Sequence, residues 1–463
     1  MDEPGGSPAG GQTLTLIGRR ERLWRTLRRA RRVISAVAVL AFIGLLASPS
    51  ITGWMLDREK ARLRAEGVPT TLAEVVPRVP PGKPNAADVY RKAFGLRQIP
   101  KGSKLLDERR PEDARWRSEM RALLAKNTAY LTLIEQASRI PDCAFPVNWA
   151  GGPETATMPH LARFREATRL LGARAVLLAR DGKADEALAQ CETILRIADH
   201  AHRDPALIAT LVAWAIRAID VDVAESVLSM ADPSPEACRA LQAALARVNQ
   251  RAELVRALRS ECVVHTLWGH ETVRRIVEDS TRTWATYLIH TQVNLVERRF
   301  LRMMDEQISA TALSWPESYW QAKRVVDRFD STPWYSSWGI GYIVNAIVFP
   351  IAARGLQGGE RIQARLDALR IALSLKQYKA QHSAYPDSLA ALRAAGFDIP
   401  LDRFTGKEFV YRRQGAGFLI YSLGPDMDDD NGRDFLKDKR RDKKPIEHGD
   451  ELWDTDVPFR CTR

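Results

Sequence analysis

The 463-residue chain is short of most signatures that announce chemistry. Its five cysteines, at 143, 191, 238, 262 and 461, show no Cys-x-x-Cys spacing, which removes the usual zinc and redox frameworks. It has no Gly-x-Ser-x-Gly elbow, no phosphate-binding Gly-x-x-x-x-Gly-Lys loop and no dinucleotide-binding Gly-x-Gly-x-x-Gly turn. His265 and His270, with Glu261 and Glu271, miss the His-Glu-x-x-His spacing that places two zinc ligands on one helical face. His200 and His202 stand beside Asp199 and Asp204, but residues two apart on a helix face different ways. Asp204-Pro205 marks a turn, so a solvated helix end is expected there rather than a metal site. Length suggests two to four domains, and an apolar content of 45% is enough for a real core.

What is present begins with charge. The net charge is +12, and Arg19, Arg20, Arg22, Arg25, Arg28, Arg29, Arg31 and Arg32, less Glu21, supply +7 of it. Basicity concentrated in one short tract beside an apolar run is a topology signal rather than a nucleic-acid arm. No nucleic-acid partner is expected, and the residues identify no small-molecule substrate. From Val33 to Leu56 there are 24 residues without a charge, enough to cross a bilayer core of ~30 Å. The arginines place the N-terminal side in the cytoplasm. A cleaved signal peptide is the rival, but Leu45 and Ala47 do not form a small-x-small site and no lipobox cysteine follows. The expectation is a single-pass anchor of a bacterial inner membrane, with the bulk of the chain outside the cytoplasm.

The expected fold is mainly α, with a transmembrane helix, a helical-hairpin middle and a small C-terminal α+β unit. Residues 1–32 read as a disordered basic tail, 33–56 as the span, 57–355 as the helical domain and 356–463 as the α+β domain. Within the middle, 114–138 reads as one amphipathic helix. Leu161 to Ala198 reads as a hairpin whose Gly182-x-x-x-Glu186-Ala187-Leu188 is weakly tetratricopeptide-like. Cys191 and Cys238 read as small buried hydrophobes. Ser331 to Ala353 is also uncharged, yet only its 16 residues from Trp338 are densely apolar. A buried or membrane-grazing helix is expected there; a second span would put the C-terminus in the cytoplasm.

The C-terminal stretch is the most informative. Ile362, Leu366, Leu369 and Leu373 recur at helical spacing, and Tyr385-Pro386 ends that helix. Glu408–Arg412 and Gly417–Tyr421 read as strands joined by a tight turn. Then come four carboxylates in five residues, Asp426, Asp428, Asp429 and Asp430. At an effective dielectric near 20, each close pair costs roughly 2–4 kcal/mol. A solvated acidic turn and a loop holding a hard cation are both open from the residues alone.

The order Tyr385-Pro386, Asp402-x-Phe404-Thr405-Gly406-Lys407, Tyr421-Ser422-Leu423-Gly424-x-Asp426, acidic loop, Gly449-Asp450-x-x-Trp453 resembles the globular head of type II secretion major pseudopilins. The likeness covers about 100 of the 463 residues. It implies one structural Ca²⁺ held by the Leu423 carbonyl and the carboxylates of Asp426 and Asp450, with Asp428 and Asp430 as further candidates. No pseudopilin leader precedes either apolar run, and Asp434 to His448 is an insertion, so the reading is a borrowed head rather than a pilin. Scaffolding or interaction, linked to type II secretion-like machinery, is the expected role, with no catalysis. The alternatives are a membrane-anchored envelope enzyme of unknown reaction and a membrane-tethered regulator using the arginine tract.

Overall fold

The structure is a computed structural model that describes residues 11–100, 104–107, 111–151, 155–278, 284–331, 340–433 and 457–462. It opens with α1 (Gly11–Ala65), a single helix of 55 residues. The expected disordered tail is therefore helical from Gly11 onward. Arginine is a good helix former, and no proline falls between Pro8 and Pro49 to stop the helix. Among the described residues, α1 is the one helix long and apolar enough to cross a membrane. Val33, Ile34, Val37, Leu40, Phe42 and Ile43 are all more than half exposed. Further along, Leu56 and Leu63 are buried in the body of the protein. The exposed apolar run and the buried stretch thus share one helix with no linker.

Pro49 sits inside α1 and leaves the Leu45 carbonyl without its usual amide donor. The Ser48 hydroxyl lies 2.7 Å from that carbonyl and supplies the missing bond. The helix continues because a local side chain restores the lost bond.

The short α2 (Leu72–Val75), α3 (Ala86–Gly95), α4 (Lys104–Asp107), α5 (Ala114–Lys126) and α6 (Thr128–Ser138) follow. The helix expected over 114–138 is two helices. Asn127 breaks it, because its buried amide bonds both the N–H and the carbonyl of Gln98, at 2.8 and 3.1 Å. Next comes the hairpin α7 (Pro159–Arg180) and α8 (Ala184–Ala201), as expected, turning at Gly182 with φ +78°. The chain continues through α9 (Leu207–Met230), α10 (Pro235–Ala246), α11 (Gln250–Glu278), α12 (Trp284–Ala310) and α13 (Glu317–Asp330).

The last long helix is α14 (Ile340–His382), followed by α15 (Leu389–Ala394), β1 (Val410–Gln414), β2 (Gly417–Ser422) and β3 (Val457–Cys461). The three strands form an antiparallel sheet in the order β1-β2-β3. A mainly α fold with a small C-terminal antiparallel sheet is what the sequence predicts; β3 is the unexpected strand. The expected boundary between 57–355 and 356–463 falls inside α14. One apolar core crosses it, joining Leu188 and Leu195 of α8, Val227 of α9 and Leu241 of α10 to Leu369 of α14 and Phe459 of β3. The backbone from Ile340 is helical, but the side chains of 340–353 and the whole of 332–339, with Trp334 and Trp338, lie outside what is described.

A second core makes a stem around the C-terminal part of α1. Leu56 and Leu63 of α1, Leu258 of α11, Phe300 and Met304 of α12 and Phe329 of α13 share it. α12 runs parallel to α1. Thr291 Oγ1 is 2.7 Å from Ser48 Oγ, Asn294 donates to the Pro49 carbonyl at 3.2 Å, and Arg62 meets Asp305 at 2.8 Å. At the middle of this seam Glu59 receives Arg302 at 2.8 Å and Arg62 at 2.9 Å.

Candidate functional site

The predicted cation loop follows β2. Its shape comes from residues that cap their own backbone. Asp429 Oδ1 accepts from the Asn431 N–H at 2.8 Å and from the Tyr421 hydroxyl at 2.9 Å. Arg412 reaches Asp429 at 3.5 Å and Asn431 at 3.1 Å, so part of the loop's negative charge is balanced from β1. Asp426 Oδ1 faces the Asp428 amide at 3.4 Å. Met427 and Asn431 have φ of 64° and 60°, the left-handed conformations of a tightly coiled loop. Leu423 and Asp430 are half-buried nearby. Asp450, with the whole closure from 434 to 456, lies outside the described residues.

The loop is tied to the body. Trp315 Nε1 donates to the Pro425 carbonyl at 2.8 Å, and Asp402 accepts from the Ser422 hydroxyl at 2.8 Å. Burial raises the Asp402 carboxyl above its ordinary range, opposed by Ser422 and the Phe404 amide.

A second polar centre was not visible in the sequence. Arg217 stands in the apolar first half of α9, ahead of Asp220, Asp222 and Glu225, and is fully buried. It makes two parallel bonds to Glu253 of α11, at 2.5 and 2.8 Å, and a third to Asp199 of α8 at 2.9 Å. Gln250 accepts a fourth at 3.2 Å. Burial opposes the charge on Arg217, but Glu253 and Asp199 outweigh it and hold the guanidinium above its ordinary value. Burial likewise opposes the charge on Glu253, and Arg217 pulls its carboxyl below the usual range. The signal available beforehand was a lone arginine, with Asp220 one turn on, in a run of alanine, isoleucine, leucine and valine.

Asp199, His202 and Glu253 are the one group of three metal-capable side chains, among the described residues, whose ligand atoms all lie within 4.8 Å of one another. The donor set suits a divalent ion on paper. Arg217, however, already bonds both carboxylates, and Arg256 donates to His202 Nδ1 at 2.9 Å. The positive charge a cation would bring is already there. Burial pushes His202 down to about 4, so it is a neutral acceptor at physiological pH.

The solvated helix end expected around His200 is instead interior. His200 and Asp204 are buried, His200 Nδ1 lies 3.0 Å from the Tyr90 hydroxyl, and Asp204 pairs with His160 at 2.7 Å. The turn at Asp204-Pro205 does occur, but α3 and α7 cover it. Burial, helped by Arg203, pushes His200 down to about 4. His265 stacks on Phe300 with ring centres 3.8 Å apart, and Glu261 accepts the Leu207 N–H at 2.9 Å. His270 and Glu271 have no described side chains. All five cysteines are buried and none forms a disulfide.

Beside the arginine network, a groove of about 710 Å³ runs between the end of α1, α2 and α11. Arg64, Arg256 and Arg259 line it, with Glu74 opposite. Glu74 is spent on the Thr70 and Thr71 amides, at 2.9 and 2.8 Å. The lining has the chemistry of an anion seat, not of a paired-carboxylate catalyst. Comparison of the chain with models of known families, with curated proteins and with solved structures returned no match.

Proposed function

We propose that this is a single-pass bacterial envelope protein of the inner membrane that holds a small α+β head at a set position outside the cytoplasm. Its role is structural: it presents the head and the helical body to other envelope proteins, beside type II secretion-like machinery. The observation that carries the reading is α1, which enters the core at Leu56 and Leu63 as the same helix that exposes Val33 to Ile43. An anchor built this way fixes where the body sits. The arginine tract before Val33 supports an N-terminus in the cytoplasm. The resemblance of the C-terminal residues to major pseudopilins supports the link to secretion, and it is analogy of fold.

The head carries a structural Ca²⁺ in this proposal. Leu423, Asp426, Asp428 and Asp430 supply the described part of the donor set, and Asp450 the rest. Binding there adds to folding energy by closing the acidic loop.

Reporter fusions after Arg463 test the topology. Alkaline phosphatase fused there is expected to be active and green fluorescent protein dark. A fluorescent, phosphatase-inactive pair of fusions places the head in the cytoplasm and overturns the proposal.

A further inference from the structure

α12 reaches the bilayer region alongside the anchor. Its contacts with α1 climb together along both helices: Thr291 with Ser48, Asn294 with Pro49 and Thr52, Arg302 with Glu59, Asp305 with Arg62. Counted from Val33, the ~20 residues that cross a bilayer core end near Thr52. The Ser48–Thr291 contact therefore lies about one helical turn on the lipid side of that boundary. The start of α12 continues toward the membrane from there.

That start is made for an interface. From Trp284 to Val296 it has no charged residue, and the first charge, Glu297, is buried against Lys60 at 2.7 Å. Tyr287 and Leu288 are each 39% exposed and Leu295 is 38% exposed. Leu295 stands level with Thr52, and Tyr287 and Leu288 about two helical turns deeper, so this face runs from the headgroup–acyl boundary, where tyrosine and tryptophan collect, into the outer acyl chains.

We infer that the first three turns of α12 dip into the outer leaflet of the bilayer that α1 crosses, as a second membrane contact. The inference rests on reading α1 as a membrane span. The occupant of this face is lipid because the face is continuous with the exposed apolar run of α1 through Leu45 and Ser48. One helix alone lets a body rotate about its axis. Two contacts on one side of the anchor set which face of the body looks at the membrane.

The test is depth-resolved fluorescence quenching on the full chain in phosphatidylethanolamine–phosphatidylglycerol vesicles. Single cysteines replace Leu288, Leu295, Val39 or Glu236 and carry a polarity-sensitive dye; the native cysteines are buried. Val39 is expected to be quenched by nitroxides deep in the acyl chains, Leu288 by nitroxides in the outer acyl chains and Leu295 by nitroxides near the headgroups. Glu236, on α10, is expected to respond to aqueous iodide alone. A lipid-quenched Val39 with Leu288 and Leu295 both open to iodide overturns the inference and leaves the anchor standing. Iodide quenching at Val39 as well removes the anchor itself.

Discussion

Arg217 and Glu253 face each other through two parallel N–H···O bonds in the interior, one carbon framework from α9 and one from α11. A bidentate pair of this kind is the strong form of the ion pair, and its cost appears when one partner is removed. Glu253→Ala leaves a buried guanidinium with Asp199 and Gln250 as its acceptors. A loss of about 3–5 kcal/mol is expected in denaturant unfolding. Arg217→Met with Glu253→Leu, which removes both charges, is expected to cost far less. Equal losses for the single and the double variant would show that packing, not charge, accounts for the effect.

Asp220 gives a dependence on pH. It is completely buried, and burial pushes its carboxyl well above the ordinary value, opposed by Cys191 and Arg217. The folded state therefore holds a proton that the unfolded state releases above its ordinary pKa. This contribution is full below that value and is lost as pH rises, by about 1.4 kcal/mol per unit until the folded group itself ionises. Asp220→Asn removes that term. Its melting temperature relative to the parent is expected to improve from pH 5 to pH 8. A difference that stays flat with pH refutes the assignment.

Glu59 has the opposite sign. Burial opposes its charge, but Arg302 and Arg62 hold its carboxyl below the usual range. Its stabilisation is present above the unfolded pKa and fades as pH falls through the folded one. Glu59→Gln is expected to loosen the α1–α12 seam, seen as faster amide exchange between Thr52 and Ala65 at neutral pH and a smaller difference near pH 3. Unchanged exchange at pH 7 would remove Glu59 as the clasp of the stem.

Calcium is tested on the whole chain, because α14 and β3 pack on α9 and the head shares their core. With calcium at 100 times its dissociation constant, binding adds about 2.7 kcal/mol to the folded state. The melting temperature is expected to fall on adding chelator, and Asp426→Asn with Asp428→Asn to abolish the difference. The same melting temperature with and without chelator ends the metal proposal.

How much was legible divides along the range of the interactions. The long apolar N-terminal helix, the α7–α8 hairpin with its glycine turn and the β1–β2 hairpin were readable, because each is set by neighbours in sequence. β3 was not: Val457-Pro458-Phe459-Arg460-Cys461 contains a proline and gains its place by pairing with a strand some forty residues earlier. Asn127 and Arg217 were missed for the same reason. Asn127 breaks a good helical pattern because Gln98 claims its amide, and Arg217 is tolerable in an apolar helix because α8 and α11 bring carboxylates to it. At the acidic loop the sequence showed the crowd of aspartates but not that Arg412 and Tyr421 hold one of them.

In the proposed arrangement, the unbroken passage of α1 from lipid to core makes the protein a lever. A bilayer that thins or thickens changes the lean of a spanning helix. A change of ~10° displaces a point ~50 Å along the body by ~9 Å, within the range of tilts such helices adopt. Whatever docks on the far end would feel membrane thickness as a shift in position, with no moving joint between the two.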